Sequence, residues 1–134
     1  PKLISKTEGE IVQRTPLGKY KKALQIEFKN CFYCNNELES GRKTQVEHVI
    51  PFDFIAEDEM WNFVLACQNC NCRKLGSLSP PNYLDELIER NKNYRRITLL
   101  DKSLVKLGLD FETKIRDHYE NAKSQGYMVV KDFP

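Results

Sequence analysis

The sequence lacks any apolar run near the roughly 18 residues that a bilayer-spanning helix needs, which sets aside a membrane protein. It also lacks a large charge surplus. Over 134 residues, 21 Lys and Arg face 19 Asp and Glu, a net +2, so global charge announces no polyanionic partner and any such claim rests on a local site. Glycine and proline number six each, too few for a collagen-like or low-complexity chain. No internal repeat and no long linker divides the chain, so one domain is expected over residues 1–134. With 40% hydrophobic and 30% charged residues, the composition is that of an ordinary globular protein. The chain begins at Pro1 rather than Met, which leaves open a removed targeting peptide or upstream domain.

An even cysteine count is missing too. The five cysteines are Cys31, Cys34, Cys67, Cys70 and Cys72, and an odd number argues against a closed disulfide framework. Four of them form two Cys-x-x-Cys pairs with 32 residues between. Each pair closes a tight turn that aims two thiolates at one tetrahedral ion, so a structural zinc site is expected over a redox pair or scattered core cysteines. Free thiolates fit a reducing, cytoplasmic compartment. Cys72 is the spare, read as a small buried side chain. The stretch between the knuckles has few long apolar patterns, and a metal ion fixes such a stretch where burial alone is marginal.

Residues 1–15 read as a loose arm or short strand. Leu17, Tyr20, Ala23, Leu24 and Phe28 recur at helical spacing and predict a helix over 16–29, with Pro16 in its first turn. Residues 44–50, rich in β-branched side chains, predict a strand that Pro51 ends. Residues 61–66 predict a second strand, and 68–76 a short helix closed near Gly76. Beyond Pro80 and Pro81, helices are expected over 82–96 and 110–124, with 99–109 also helical and a short strand near 128–133. The helical flanks are thus 16–29 and 82–124.

The residues that carry chemistry are Glu47, His48, Asn62 and Asn71. In a regular strand Glu47 and His48 face opposite ways, so a shared site needs a bend at the strand end. Asn71 follows Cys70, so a zinc ion would fix its place; alone it would read as a helix cap. Trp61 reads as core packing and His118 as surface. Asp53, Glu57, Asp58 and Glu59 read as a solvated acidic loop.

The pattern Cys31-x-x-Cys34, Val46-Glu47-His48-Val49-Ile50-Pro51 and Trp61-Asn62-Phe63-Val64-Leu65-Ala66-Cys67-x-x-Cys70-Asn71-x-x-Lys74 resembles the HNH endonuclease family. Its final residue is Asn rather than His, an H-N-N variant. The resemblance covers residues 31–75. It implies an α+β fold, a ββα-metal (His-Me finger) core with a zinc knuckle pair, flanked by helices. It also implies metal-dependent hydrolysis of DNA phosphodiester bonds. On this implication His48 is the general base, an imidazole being largely neutral yet basic near neutral pH. Glu47 and Asn71 hold one Mg²⁺ or Mn²⁺ through oxygen atoms, and Asn62 tethers the loop and orients His48. Glu47 stands where the family has Asp or His, one methylene longer than Asp.

Residues 31–80 carry four basic and seven acidic side chains, so a phosphate-binding surface is expected from the flanks. Arg90, Lys92, Arg95 and Arg96 form a run with no acid inside it. Arg73 and Lys74 lie beside the motif, and Lys19, Lys21 and Lys22 form a further group. Such cations bind phosphate without reading sequence; a solvated helix face is the equal reading for 90–96 and the favoured one for 19–22. The expected partner is DNA, double-stranded, with a homodimer or a larger protein as the setting. The competing reading is a zinc-ribbon-like nucleic-acid-binding module without catalysis. A zinc deaminase is set aside, because its His-x-Glu pair is missing after His48.

Overall fold

The computed structural model describes residues 2–5 and 11–14 as backbone, and then 16–39, 43–55 and 59–134, the side chains of 52 and 53 excepted. Strands β1 (Lys2–Ser5) and β2 (Ile11–Arg14) pair antiparallel, Lys2 opposite Arg14, where the sequence suggested an arm or short strand. Helix α1 (Gly18–Glu27) follows and stops where Phe28 turns extended. Its Leu24 is completely buried, and its Tyr20 meets Phe63 edge to face at 5.0 Å.

The centre of the molecule is a hairpin and a helix. Strands β3 (Thr44–His48) and β4 (Phe63–Cys67) are antiparallel, with Thr44 opposite Cys67 and His48 opposite Phe63. Both are shorter than the sequence suggested. β3 ends at His48 because residues 49–50 peel away to meet Asn62, and 61–62 belong to a single 3₁₀ turn, Met60–Asn62. Helix α2 (Phe52–Ile55) lies between the strands in sequence, and helix α3 (Gln68–Lys74) leaves directly from β4. The Cys67 Sγ caps α3 by accepting the Cys70 N–H; Leu75 ends it with φ +35 and Gly76 continues at φ +75. That left-handed pair suits glycine and costs more at leucine. Asn71 is therefore a mid-helix residue rather than the cap the sequence suggested.

Helices α4 (Pro81–Asn93), α5 (Thr98–Leu107) and α6 (Phe111–Ser124) cover the hairpin. Pro81 begins α4, where its missing N–H costs nothing. The strand expected near 128–133 reduces to one bridge, Val129 beside Leu78.

β4 is buried on both faces, and its two-residue period sorts its side chains into two cores. Phe63 and Leu65 join Leu24, Trp61, Leu84, Ile88, Leu100, Leu104, Ile115 and Tyr119. Val64 and Ala66 join Cys31, Tyr33, Cys70, Tyr83 and Leu87. Adjacent pairs on α4, Tyr83–Leu84 and Leu87–Ile88, divide the same way, so one helix seals both cores. The mixed α and β architecture with a four-cysteine cluster is the fold class expected from the sequence. No helix among the described residues is long and apolar enough to cross a membrane.

Candidate active site

Two tight turns bring the knuckle cysteines together. The Asn35 N–H closes the first onto the Cys31 carbonyl, with Asn35 at φ +64, and α3 forms the second. The ligand atoms of Cys31, Cys34, Cys67 and Cys70 all lie within 4.8 Å of one another. A zinc–sulfur bond of about 2.3 Å sets tetrahedral thiolates about 3.8 Å apart, and Cys34 Sγ lies 3.8 Å from Cys67 Sγ. Backbone N–H groups of Tyr33 and Cys67 donate to Cys31 Sγ, each at 3.4 Å. Burial pushes the Cys34 and Cys70 thiols up. At Cys67 burial pushes the same way, but the Cys70 N–H and the neighbouring thiols outweigh it and bring that thiol down. The donor set and spacing fit a zinc ion. Cys72 is exposed rather than buried, because two residues along a helix turn it about 200° from Cys70.

At the other end of the hairpin, Asn62 is fully buried and grips the strand exit. Its Nδ2 donates to the Ile50 carbonyl at 2.7 Å, its Oδ1 accepts the Ile50 N–H at 2.9 Å, and its carbonyl accepts the Val49 N–H at 3.0 Å. That clamp fixes the chain immediately after His48. We expect Asn62→Ala to cost about 2–4 kcal/mol, since both polar groups of Ile50 then lack a buried partner. Urea unfolding reads this, and a loss below about 1 kcal/mol would mean that water replaces the clamp.

His48 and Glu47 leave β3 on opposite faces. The half-buried His48 ring stands edge-on to Phe63 at 4.8 Å, on the side that α1 covers. The Glu47 carboxylate turns toward α3 and the first knuckle. Its Oε1 accepts the Tyr33 hydroxyl at 2.6 Å and its Oε2 faces the Lys74 ammonium at 3.2 Å. Burial lifts the Glu47 carboxyl above its ordinary value, opposed by Lys74 and Tyr33. Burial lowers the Lys74 ammonium, opposed by Glu47. Burial and then the Glu47 charge hold the Tyr33 phenol well above its usual range, so it stays a donor. Asn71 sits one turn before Lys74 on the same face of α3. It is half-buried, and its carboxamide bonds to no other described side chain. Each Glu47 oxygen keeps a second lone-pair direction, so a carboxylate and a carboxamide remain as oxygen donors of the kind a hard cation takes.

The structure corrects the expected phosphate contacts. Lys74 is completely buried and turned inward. Arg90 is buried as well: with Asn91 it holds the Trp61 carbonyl beside Asn62, and burial pulls its guanidinium down to about 10. The remaining cations of 90–96 meet acids on other helices. Lys92 pairs with Glu112 at 2.7 Å, Arg95 with Asp101 at 2.6 Å and Arg96 with Glu27 at 2.8 Å. Arg73 is exposed, beside Phe133, and donates to the Asp132 carbonyl. We expect Arg90→Met to lower stability while leaving the salt dependence of nucleic-acid binding unchanged. A shallower salt dependence would return Arg90 to the phosphate surface.

His118 is half-buried and lies parallel to Trp61 with ring centroids 5.9 Å apart, where the sequence suggested open surface. Of the acidic loop, Glu59 pairs with Lys106 at 2.9 Å; the side chains of Asp53, Glu57 and Asp58 fall outside the described residues. Sequence reasoning missed Tyr33, Ser79 and Asn91. A tyrosine inside a Cys-x-x-Cys turn was the one signal available for Tyr33.

A two-stranded antiparallel hairpin running into a helix, with four thiols that could hold a zinc ion at one end and an asparagine clamp just after a histidine at the other, defines a ββα module. Residues 31–79, under half of the 134-residue chain, match the family model described as HNH endonuclease. This match suggests a nuclease-type function and, with it, a nucleic-acid substrate. A search of curated proteins found no match to the chain.

Proposed function

We propose that the chain is a metal-dependent endonuclease that hydrolyses DNA phosphodiester bonds. The observation that carries this reading is the Asn62 clamp, which fixes the exit of His48 from β3 within the HNH segment. His48 takes the proton from the attacking water. Glu47 and Asn71 hold one Mg²⁺ or Mn²⁺, which when bound supplies charge stabilisation at the phosphate and leaving oxygen. Asn62 keeps the His48 backbone in place and touches neither metal nor substrate.

Double-stranded DNA lies along Arg73, the exposed Lys92 and Arg96, and the half-buried Arg95. Exposed ion pairs contribute about 1 kcal/mol or less each, so phosphates replace their carboxylate partners at little cost. All 134 residues act as one nuclease domain, with α1 and α4–α6 buttressing the hairpin. One site per chain cuts one strand, so a double-strand break needs a second copy or a larger assembly. The thiolate centre suits a reducing cytoplasm.

Two observations favour the second reading, a non-catalytic zinc-ribbon-like binding module: the Glu47 carboxylate is held by Lys74 and Tyr33, and the His48 side chain leaves β3 on the opposite face. Cleavage of labelled duplex and single-stranded DNA oligonucleotides, with Mg²⁺ or Mn²⁺ added to the zinc-loaded chain, separates the two. The nuclease reading expects products from duplex DNA; the module reading expects binding alone.

A further inference from the structure

A fully buried lysine is costly unless its charge is used. The Lys74 ammonium spends its three protons on Glu47 Oε2 at 3.2 Å, the His48 carbonyl at 2.9 Å and the Ser77 carbonyl at 2.6 Å. Two of these partners are consecutive residues at the end of β3. The third lies just beyond the left-handed turn that ends α3, so one side chain ties the strand exit to the helix exit. The opposite carboxylate oxygen is held from the first knuckle by Tyr33, whose hydroxyl also lies 2.9 Å from Ser79 Oγ. Both arms of the grip come from segments that the four cysteines organise: Tyr33 within the first pair, Lys74 on the helix that begins at the second.

This arrangement has an electrostatic consequence. A divalent cation that took Glu47 would meet an ammonium already neutralising that carboxylate, and like charges repel strongly where water is excluded. An apolar side chain would not fix the His48 carbonyl, and a bare carboxylate would be buried without a counter-charge. We propose that Lys74 is a positioning residue and the resident counter-ion of Glu47: it presets the His48–Glu47 strand exit in the cation-free protein and weakens divalent-cation binding in return. This rests on the reading of Glu47 as a metal ligand.

The test is Mn²⁺ binding to the zinc-loaded full chain without nucleic acid, read from the electron paramagnetic resonance of free Mn²⁺ and from the Mn²⁺-induced shift in melting temperature. Wild type, Lys74→Met, Lys74→Gln and Glu47→Gln are compared. Lys74→Met leaves the buried carboxylate without its counter-charge, so the metal-free variant melts lower and Mn²⁺ raises its melting temperature more than that of wild type. Affinity for Mn²⁺ should rise roughly tenfold or more in Lys74→Met. The single-turnover cleavage rate at saturating Mn²⁺ should fall, because the His48 carbonyl is no longer held. Lys74→Gln, neutral but able to donate to that carbonyl, should gain affinity while keeping more of the rate, and it carries the measurement where the Met variant folds poorly. Unchanged or weaker Mn²⁺ binding in folded Lys74→Gln overturns the proposal. Mn²⁺ binding that survives Glu47→Gln overturns instead the assignment of Glu47 as a ligand, and the counter-ion role falls with it.

Discussion

His48→Ala is expected to lower DNA cleavage by about 10² to 10⁴-fold, the range that removal of a positioned general base produces. The fold should persist. The His48 ring is half-buried against Phe63, but the strand exit is held by backbone and Asn62 contacts that the substitution leaves intact. Zinc content should stay at wild-type level, because the four thiols lie at the other end of the hairpin, where Thr44 pairs with Cys67. Mn²⁺ affinity should also stay, since Glu47 leaves the strand on the opposite face toward α3. The informative result is therefore a split: metal binding and stability retained, turnover lost. A variant that cuts near the wild-type rate would require another base.

The second large effect is expected at the knuckles. Cys67 has two duties: it contributes a thiol to the cluster and it caps α3 by accepting the Cys70 N–H. Cys67→Ser removes a soft ligand from a four-sulfur set and weakens the cap. A structural zinc contributes about 10–16 kcal/mol of apparent binding free energy to a small metal-dependent fold, so losing most of it should disorder the hairpin and α3. Zinc content falls well below one ion per chain, and the melting transition broadens or disappears. Cys72→Ser is the matched control: Cys72 is exposed and outside the cluster, so zinc content and melting temperature stay unchanged. Full zinc and an unshifted melting temperature in Cys67→Ser would remove the structural role of the ion.

What was legible in the sequence is what depends on local spacing. Two Cys-x-x-Cys turns, a β-branched stretch ended by Pro51 and the helical periodicity of α4 each lie within a short window, and each reappears as an element or a cluster. The misreadings have a different origin. The run 90–96 holds no acid, yet its partners Glu27, Asp101 and Glu112 arrive from α1, α5 and α6. Lys74 reads as a phosphate contact because an isolated lysine belongs at the surface. Its burial follows from Glu47, 27 residues earlier, and only packing of α3 on β3 reveals the pair. Asn71 taken alone reads as a cap, but it lies three residues inside the helix that starts at Gln68, as expected, and that duty falls to Cys67. The bend that a shared Glu47–His48 site requires does occur, at residues 49–50, but it follows His48, so the two side chains still diverge.

Nicking of supercoiled plasmid by the zinc-loaded chain tests the nuclease reading most directly. Nicked circles should form when Mg²⁺ or Mn²⁺ is added, and neither without the added ion nor with His48→Ala. A folded, zinc-loaded chain that binds plasmid and leaves it supercoiled at every divalent ion tried would contradict the account, as would cutting that ignores the ion.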